Sequence, residues 1–303
     1  MRLKDVHLLR LYGVQDIGLD KRGRIMSRYT LGVIQMDSQD NKEENLKAIV
    51  DLIELAVEKG AKLVSMPESV NYIGLDNAKN AEIIPEGKTF NLLAEEAVKH
   101  NIWLHCGSIY EISEDVNRPY NTTMVINPKG ELVAKYSKIH PFDVIIDNGP
   151  SVRESDTISP GKEIVTVDTG EVGHLGLSIC YDMRFGELYR LMALQGAEIL
   201  FVPANFTLQT GKDHWMPILR TRAIENGCYV VAAGQYGIKP SFQAYGKSLI
   251  IDPWGNIISM ASDRTDVITA EIDLDYVKQV RKQLGTLDNR RTDIYSLKVL
   301  NKN

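Results

Sequence analysis

The chain has 303 residues, of which 44% are hydrophobic and 25% are charged, and its 35 basic and 40 acidic residues give a formal net charge of -5. These values are typical of a soluble globular protein whose core is large enough to be stable without cross-links such as disulfides. The mild acidic excess argues against general nucleic-acid binding. Three cysteines without CxxC spacing argue against a disulfide framework or structural zinc, and no apolar run reaches the ~18 residues of a membrane helix. We therefore expect a cytoplasmic protein that binds neither nucleic acid nor a membrane.

The first 28 residues are basic and differ from the rest of the chain. Seven lysines and arginines against three aspartates give this stretch a formal charge of +4. It lacks the continuous apolar core of a signal peptide. We expect residues 1–28 to form a poorly ordered N-terminal extension and residues 29–303 to form a single domain.

From Tyr29 onward, stretches with the two-residue period of strands alternate with stretches of helical spacing, which is the pattern of α/β proteins. Asn41 and Glu44 form a capping box for a helix that ends at Gly60, and a turn at 127–130 closes a hairpin. The predicted helices lie within 41–60, 90–100, 188–196 and 215–227, the hairpin covers 121–136, and the other predicted strands cover 31–36, 63–66, 102–110, 175–179, 198–202, 229–232, 248–251 and 267–272.

Residues 140–161 interrupt this alternation because they carry three prolines and two glycines and show little periodicity. An unstructured loop of about 20 residues inside a compact domain is uncommon and is usually functional when it occurs. We therefore expect a functional loop here, and Glu154 lies within it.

Cys180 lies between a short predicted strand and the next predicted helix, at a strand-to-helix turn. Backbone N–H groups at the start of a helix favour negative charge, so they would stabilise a thiolate and an oxyanion beside it. The alternative is a buried structural cysteine, which is the better account of an arbitrary cysteine. The polar residues 181–184 that follow favour a nucleophile at Cys180.

A nucleophilic cysteine needs a base, and none of the six histidines has a sequence context that marks it as one. Carboxylates and amines can serve instead. Glu68 follows a predicted strand at its carboxyl end, where open α/β sheets bind ligands, and Lys138 closes the predicted hairpin. Spacing alone favours a solvated surface charge at both positions.

Several motifs in collinear order resemble the nitrilase, or carbon–nitrogen hydrolase, superfamily. They are MPES at 66–69, YSKIHPFD at 136–143, RES at 153–155, CYDMRF at 180–185, TG and HW within 210–215, RAIEN at 222–226 and DPWG at 252–255. The resemblance extends from about residue 29 to residue 295. It implies an α/β fold of the nitrilase type, a four-layer αββα sandwich, and a hydrolase of non-peptide linear amides that uses no metal or organic cofactor.

The resemblance also assigns roles to individual residues. It implies that Cys180 is the nucleophile, Glu68 the general base and Lys138 the stabiliser of the transition state. Glu154 matches a second glutamate that positions substrate or assists proton transfer. The chemistry agrees, because a cysteine near its ordinary pKa of ~8.5 is mostly protonated at neutral pH and a lysine between two glutamates stays charged. Lys138 and the backbone N–H of Tyr181 can stabilise an oxyanion by roughly 3–4 kcal/mol.

Within the superfamily the motifs resemble the amidase branch, in particular ω-amidases and deaminated-glutathione amidases. Both act on short ω-monoamides of dicarboxylates, so the resemblance implies a small-molecule amide substrate and ammonia release through a cysteine thioester. The candidate substrate-binding residues are Tyr72, Tyr181, Arg184, Asn205 and Phe206. Arg184 would bind a substrate carboxylate, although an ion pair with Asp182 or another carboxylate that shapes the turn explains it equally well. Tyr72 would line the pocket, although packing explains it better.

Two departures from the family pattern leave the substrate open: Gly186 replaces a common proline, and residues 236–245 match neither amidase closely. The alternatives are an N-carbamoyl amide hydrolase, which would release carbon dioxide with ammonia, and a true nitrilase. A non-catalytic scaffold with the same fold is an alternative of another class, against which the intact Glu68, Lys138 and Cys180 argue. Members of the superfamily commonly assemble through helices near the nucleophile and through C-terminal segments, so we expect a homodimer or a higher homo-oligomer.

Overall fold

The computed structural model describes residues 28–145 and 151–300. The predicted extension over 1–28 therefore lies outside the described residues, apart from Arg28, which begins the first strand. In the described ranges, no helix combines the length and the apolar character that crossing a bilayer requires.

The first half of the described chain contains two helices and eight strands. They are β1 (Arg28–Gln35), α1 (Lys42–Glu58), β2 (Ala61–Ser65), α2 (Lys88–His100), β3 (Trp103–His105), β4 (Ile109–Glu111), β5 (Tyr120–Ile126), β6 (Leu132–Ser137), β7 (Asp143–Ile145) and β8 (Ser151–Arg153). The second half contains β9 (Thr166–Asp168), β10 (His174–Leu177), α3 (Gly186–Leu194), β11 (Ile199–Phe201), α4 (Leu208–Asn226), β12 (Tyr229–Ala232), β13 (Tyr236–Ile238), β14 (Gln243–Tyr245), β15 (Leu249–Ile251), β16 (Ile257–Met260), β17 (Asp266–Asp273) and α5 (Leu274–Leu284). Short 3₁₀ helices cover Glu154–Asp156 and Cys180–Arg184.

The strands of the described chain form two large sheets and two small hairpins. The first sheet has seven strands in the order β17-β1-β2-β3-β5-β4, with β6 also paired to β5. The second has six strands in the order β16-β15-β12-β11-β10-β9. Parallel pairing joins β1 to β2 and β3 in the first sheet, and β10 to β11 and β12 in the second. The centres of both sheets are therefore parallel, with the carboxyl ends of neighbouring strands at one edge.

Alternation along the strands determines how the layers pack. In β1, the buried side chains of Leu31 and Val33 pack in one core with Leu175 and Leu177 of the second sheet. The opposite face of β1 packs through Ile34 into a separate core with residues of α1 and α2. Residues of α3 and α4 pack on the outer face of the second sheet. Each large apolar side chain buried in this way contributes about 1.5–3 kcal/mol. The predicted four-layer αββα sandwich is confirmed.

Local signals placed many of the elements correctly. The Asn41 side chain accepts a hydrogen bond from the Glu44 N–H at 3.3 Å, as the predicted capping box requires, and α1 ends just before Gly60. The predicted hairpin forms, with the Asn127 side chain accepting bonds from the backbone N–H groups of its turn. The prediction of an unstructured loop over 140–161 was wrong in part, because β7 and β8 pair within it. The helix α5 and the strands β9, β13, β14 and β16 were not predicted.

His105 of β3 is fully buried where the two sheets meet, and it makes the stability of the fold depend on pH. Its ring nitrogens lie 2.9 Å from Ser65 Oγ and 3.0 Å from Thr123 Oγ1, and the ring stacks on Phe201. Burial lowers the pKa of His105 from 6.5 to about 3. As the pH falls from about 6.5 to about 3, the unfolded chain takes up a proton that the folded protein does not.

The free energy of unfolding should therefore fall with decreasing pH in this window, with His105 contributing a slope of about 1.4 kcal/mol per pH unit. The variant His105→Gln removes the titrating group and can still bond to Ser65 and Thr123. We expect urea unfolding, measured at several pH values in this window, to show a shallower slope in the variant. Equal slopes in the two proteins would contradict the expectation.

Candidate active site

A cavity of about 200 Å³ opens where the carboxyl ends of strands from both sheets meet. Four charged or thiol side chains predicted to be catalytic lie on its wall: Glu68, Lys138, Glu154 and Cys180. The rest of the wall includes five aromatic residues, Tyr110, Phe142, Tyr181, Phe206 and Phe242. A buried charged cluster in an apolar cavity is the setting in which electrostatic effects on a reaction are strongest.

Glu68 lies just beyond the end of β2, and its carboxylate is held by three donors. Its Oε1 accepts bonds from Asn121 Nδ2 at 2.8 Å and Lys138 Nζ at 3.1 Å, and its Oε2 accepts one from the Asn205 N–H at 2.7 Å. The side chain is buried. The carboxylate therefore has a fixed orientation on the cavity wall, as a general base requires.

Lys138 follows β6, and its ammonium group lies between two carboxylates. Nζ is 3.1 Å from Glu68 Oε1 and 2.8 Å from Glu154 Oε2, and the side chain is only 2% exposed. Burial by itself would lower the pKa of Lys138, but the charges of Glu154, Glu68 and Cys180 outweigh it and hold that pKa well above its ordinary value. The two carboxylates thus favour the charged form of Lys138, as the sequence analysis expects.

Glu154 begins a 3₁₀ helix directly after β8, in the segment that was predicted to be a functional loop. Both of its carboxylate oxygens accept bonds from Lys138 Nζ, and Oε2 also accepts a bond from the Phe142 N–H. The β7–β8 hairpin thus carries the second glutamate to the lysine. Since Phe142 also lines the cavity, Glu154 positions both a cation and an aromatic wall.

Cys180 follows β10 and begins the 3₁₀ helix Cys180–Arg184, with its backbone in the left-handed region at φ 47°. Its own N–H donates to the Pro203 carbonyl at 2.9 Å. The thiol is buried, and burial together with the nearby charge of Glu68 raises the pKa of Cys180 well above its ordinary value.

The prediction of a thiolate stabilised by a helix start was therefore wrong. The helix α3 begins only at Gly186, after the 3₁₀ turn, so its N–H groups do not surround the sulfur. Burial disfavours the charged form of the thiol more strongly than Lys138 favours it. A thiol in this environment would need a base, such as the adjacent Glu68 carboxylate, to take its proton before it could act as a nucleophile.

Asp182 connects the turn of the nucleophile to the strand of the lysine. Its fully buried carboxylate accepts bonds from Tyr136 Oη at 2.7 Å, the Ile179 N–H at 2.9 Å and the His140 N–H at 3.1 Å. The His140 ring also approaches it, with Nδ1 at 2.7 Å. Tyr136 and His140 flank Lys138, so one carboxylate fixes the spacing between Lys138 and Cys180.

Two close backbone approaches allow no side chain beyond hydrogen. At Gly107, which has φ 61°, a Cβ atom would lie 2.0 Å from the carbonyl oxygen of Pro67, the residue before Glu68. At Gly161 it would lie 2.0 Å from the Ser137 carbonyl oxygen. The Gly161 N–H donates to the Lys138 carbonyl at 2.7 Å. Both glycines let neighbouring segments pack against the backbone that carries a charged site residue.

The predicted substrate-binding residues Tyr181, Asn205 and Phe206 all line the cavity. The Tyr181 ring packs edge-on against Phe142. Asn205 holds Glu68 through its backbone, while its buried side-chain oxygen has no hydrogen-bond partner in the described structure.

Arg184 does not line the cavity but lies beside two residues that do. Its guanidinium carbon is 5.4 Å from the ring centre of Phe206 and 5.8 Å from that of Tyr181. Among the described residues it forms no ion pair with Asp182, whose oxygens are taken by the partners given above, and its Nη1 lies 3.3 Å from His214 Nδ1. The structural explanation of Arg184 by an Asp182 pair is therefore wrong.

Tyr72, which was predicted to line the pocket, packs instead below the surface. Its ring is buried, and its hydroxyl accepts a bond from the Asp76 N–H at 3.3 Å. The three residues after it, 73–75, line the cavity in its place.

Sequence reasoning missed three buried polar residues that support the site: Asn121, Gln235 and Lys239. Asn121 orients Glu68 through its side chain, and Gln235 Nε2 donates to the Glu68 carbonyl at 2.9 Å. Lys239 is buried and lies on the cavity wall. Polar residues at the end of a predicted strand or inside one were the available signal, because such groups are buried only when they are bonded.

A possible ligand set for a metal ion lies away from the cavity. Glu54, Glu96 and His100 bring three ligand atoms within 4.8 Å of one another. Lys99 already pairs with both glutamates, at 2.8 Å and 3.2 Å. Surface ion pairs account for this cluster, and none of its members lines the cavity.

A family sequence model described as carbon–nitrogen hydrolase matches residues 30–282. The chain belongs to the carbon–nitrogen hydrolase family. The enzyme class predicted from the motifs, a hydrolase of non-peptide amide bonds, is thereby confirmed, together with the nitrilase-type fold.

This carbon–nitrogen hydrolase is similar to amidases along nearly its whole length. It is 41% identical over 270 residues to the deaminated glutathione amidase of Synechocystis, an alignment that covers 88% of this chain and 99% of that protein. It is 38% identical over 275 residues to the omega-amidase NIT2 of Mus musculus, covering 90% of this chain and 98% of that protein. The predicted membership of the amidase branch is confirmed.

The chain also matches part of a larger protein, the nitrilase and fragile histidine triad fusion protein NitFhit of Caenorhabditis elegans. The identity is 39% over 283 residues, and the alignment covers 92% of this chain but only 64% of the length of the fusion protein. The crystal structure of C. elegans NitFhit superimposes with a TM-score of 0.83 at 40% identity, covering 89% of this chain and 66% of that one.

Proposed function

We propose that this carbon–nitrogen hydrolase is an amidase that removes ammonia from a small carboxylated amide through a thioester on Cys180. The observation that carries the proposal is the burial of three side chains on one cavity wall. Glu68 bonds to Lys138 Nζ at 3.1 Å, and the buried Cys180 thiol lies on the same wall, so a base, a cation and a nucleophile meet at one cavity.

Acylation begins from the neutral thiol. Glu68 takes the proton of the Cys180 thiol as the sulfur attacks the amide carbon, and the carbonyl oxygen becomes an oxyanion. Lys138 and the backbone N–H of Tyr181 stabilise that oxyanion. The protonated Glu68 then gives its proton to the amide nitrogen, the C–N bond breaks, and ammonia leaves a thioester on Cys180.

Deacylation reverses the roles with water in place of ammonia. Glu68 takes a proton from a water molecule that attacks the thioester carbon, and Lys138 again stabilises the oxyanion. The C–S bond breaks, the sulfur recovers the proton from Glu68, and a carboxylic acid leaves. Glu154 touches Lys138 and not the sulfur, so we assign it to holding Lys138 in place and charged.

Arg184 supports a substrate that carries a carboxylate. Its guanidinium group lies beside the lining rings of Tyr181 and Phe206 and forms no ion pair with a carboxylate of the described residues. A cation in that position suits the far end of an ω-monoamide. The names of the relatives, deaminated glutathione amidase and omega-amidase, point to the same substrate class.

The proposal is tested by incubating the protein with α-ketoglutaramate, succinamate and deaminated glutathione and measuring released ammonia. We expect turnover of at least one of them, and alkylation of Cys180 by iodoacetamide should block it. Failure to turn over any of the three, together with a Cys180 that does not react, would overturn the proposal.

We further propose that residues 29–303 form one domain that works in the cytoplasm as a homodimer or larger homo-oligomer. Large apolar side chains near the C-terminus support an assembly, because Ile294, Tyr295 and Leu300 are all more than half exposed. Light scattering at micromolar concentration tests this, and the mass of a monomer would contradict it.

A further inference from the structure

Lys239 places a second buried ammonium group beside the catalytic cavity. It lies just after β13, its side chain has no exposed surface, and the residue lines the cavity. The mechanism proposed above makes no use of it. Burial of a lysine is costly unless the charge is paired and bonded, so this position calls for a physical explanation.

The bonds of Lys239 show that it binds protein and not substrate. Nζ donates to Asp37 Oδ1 at 2.6 Å, to the Ser38 carbonyl at 2.9 Å and to Gln235 Oε1 at 3.3 Å. An ammonium group has three donors, and these three partners use all of them. No N–H of Lys239 is left to bind the carboxylate of a substrate.

One end of this network reaches the general base. Gln235, which accepts a bond from Lys239, donates through Nε2 to the Glu68 carbonyl at 2.9 Å and to Ser38 Oγ at 2.8 Å. The Ser38 N–H in turn donates to Gln235 Oε1 at 2.9 Å. Lys239 is therefore connected to the backbone of Glu68 through a single fully buried side chain.

The other end of the network is the turn that connects β13 to β14. The Lys239 N–H donates to the Phe242 carbonyl at 2.7 Å, and residues 239–242 all line the cavity. The strand β14 is fixed to the cavity wall, because the Tyr245 N–H donates to the Phe206 carbonyl at 2.8 Å. The ribbon has only two strands of three residues each, and a ribbon of that size is marginal by itself. The strand β13 is held by the Tyr236 N–H, which donates to the Met36 carbonyl, and by Gln39 Nε2, which donates to the Ile238 carbonyl, while the Lys239 side chain holds the tip to Asp37 and Ser38.

We propose that Lys239 is a positioning residue that fixes the turn 239–242 as one wall of the substrate cavity and so determines which amides fit. This inference rests on the proposed amidase function. The turn lies in the stretch 236–245, which matches neither amidase pattern closely, so we expect this wall to differ in shape from that of the amidases and to select a different substrate.

The test compares the wild type with Lys239→Met, which keeps the length of the side chain and removes its three donors. For the amide that the wild type turns over, KM should rise by about tenfold or more while kcat stays within about threefold, because the reacting groups are untouched. Alkylation of Cys180 by iodoacetamide, a small reagent, should also stay within about threefold. Hydrogen exchange at 236–245 should become faster.

Two further variants keep the test decisive. Lys247→Met removes a partly buried ion pair with Asp263 that does not line the cavity, and it should leave KM and exchange at 236–245 unchanged. Asp37→Asn removes the ionic partner of Lys239 and leaves its other two acceptors. It should therefore raise KM and speed up hydrogen exchange at 236–245, but by less than Lys239→Met does. If Lys239→Met does not fold, the KM and the hydrogen exchange of Asp37→Asn serve as the test.

An unchanged KM in folded Lys239→Met and in Asp37→Asn would overturn the inference, as would a KM that rises equally in Lys247→Met. A wild type that hydrolyses no amide would instead overturn the proposed function. In that case unchanged exchange at 236–245 in the Lys239 variant would still overturn the positioning role by itself.

Discussion

Replacing Cys180 by alanine is expected to lower kcat for ammonia release by on the order of 10⁴-fold or more, because it removes the atom that forms the acyl bond. The variant should fold as the wild type does, since the thiol donates no bond that the turn needs and the Cys180 N–H keeps its bond to the Pro203 carbonyl. Steady-state ammonia release and the urea midpoint, measured on the same preparation, check both statements.

Cys228→Ala is the matched control for this variant. Its sulfur is also fully buried, but it lies 3.2 Å from the Ala197 carbonyl in the core and lines no part of the cavity. Activity should survive there even if stability falls. Ammonia release that persists in Cys180→Ala at a tenth of the wild-type rate or more would contradict the role of the nucleophile.

Glu68→Gln is expected to lower kcat by about 10²–10⁴-fold, because the amide cannot take the proton of the thiol or of the water. A second readout separates this role from a structural one. The charge of Glu68 is one cause of the raised pKa of Cys180, after burial, so removing that charge should lower the pKa of Cys180. The midpoint of the pH profile for iodoacetamide alkylation should therefore move to lower pH, although hydrolysis is slower.

Glu111→Gln controls for the loss of a buried carboxylate. Glu111 is also buried and paired with a lysine, Lys135, and its Oε2 accepts a bond from Thr122 Oγ1 at 2.8 Å. It lies outside the cavity, so both kcat and the alkylation profile should stay close to those of the wild type. If Glu68→Gln kept its full kcat, or if its alkylation midpoint moved to higher pH, Glu68 would not be the base.

Much of the fold could be predicted because its elements carry local signals. The period-two alternation of β1 reflects two different cores on its two faces, and the helix α1 has its cap and its apolar stripe within its own sequence. The β7–β8 hairpin carries a weaker signal, because each of its strands has only three residues. Tertiary contacts decide such an element, and a single sequence does not show them. The helix α5 was missed although its sequence carries local signals: Asp273 caps its start, Leu274, Val277 and Val280 form an apolar stripe, and Gly285 ends it.

The site was predicted less completely than the fold, because the charges around the thiol depend on how the chain is folded. Motif resemblance named Glu68, Lys138, Glu154 and Cys180, and all four line the cavity. Reasoning from the strand-to-helix turn alone gave the wrong charge for the thiol. It located the sulfur at the start of an α-helix, whereas that helix begins only after the 3₁₀ turn, and burial beside the charge of Glu68 raises the pKa of the thiol.

The supporting residues were missed for a related reason. Asn121, Gln235 and Lys239 act on Glu68 or on the cavity wall across contacts distant in sequence, from other strands and from a different sheet. No spacing rule links such positions in a single chain. Only the requirement that buried polar groups be bonded connects them, and burial is known only once the chain is folded.

The most direct test of the mechanism is an acid quench during turnover of an amide substrate, followed by mass spectrometry of the intact protein and of its peptides. We expect a fraction of the protein to gain the mass of the substrate less that of ammonia. The added group should lie on the peptide that contains Cys180, and hydroxylamine should remove it. The quench must be faster than kcat, and deacylation must limit the rate, so that the adduct accumulates. Under these conditions, turnover without any adduct would contradict a thioester on Cys180. An adduct on another residue would contradict it as well.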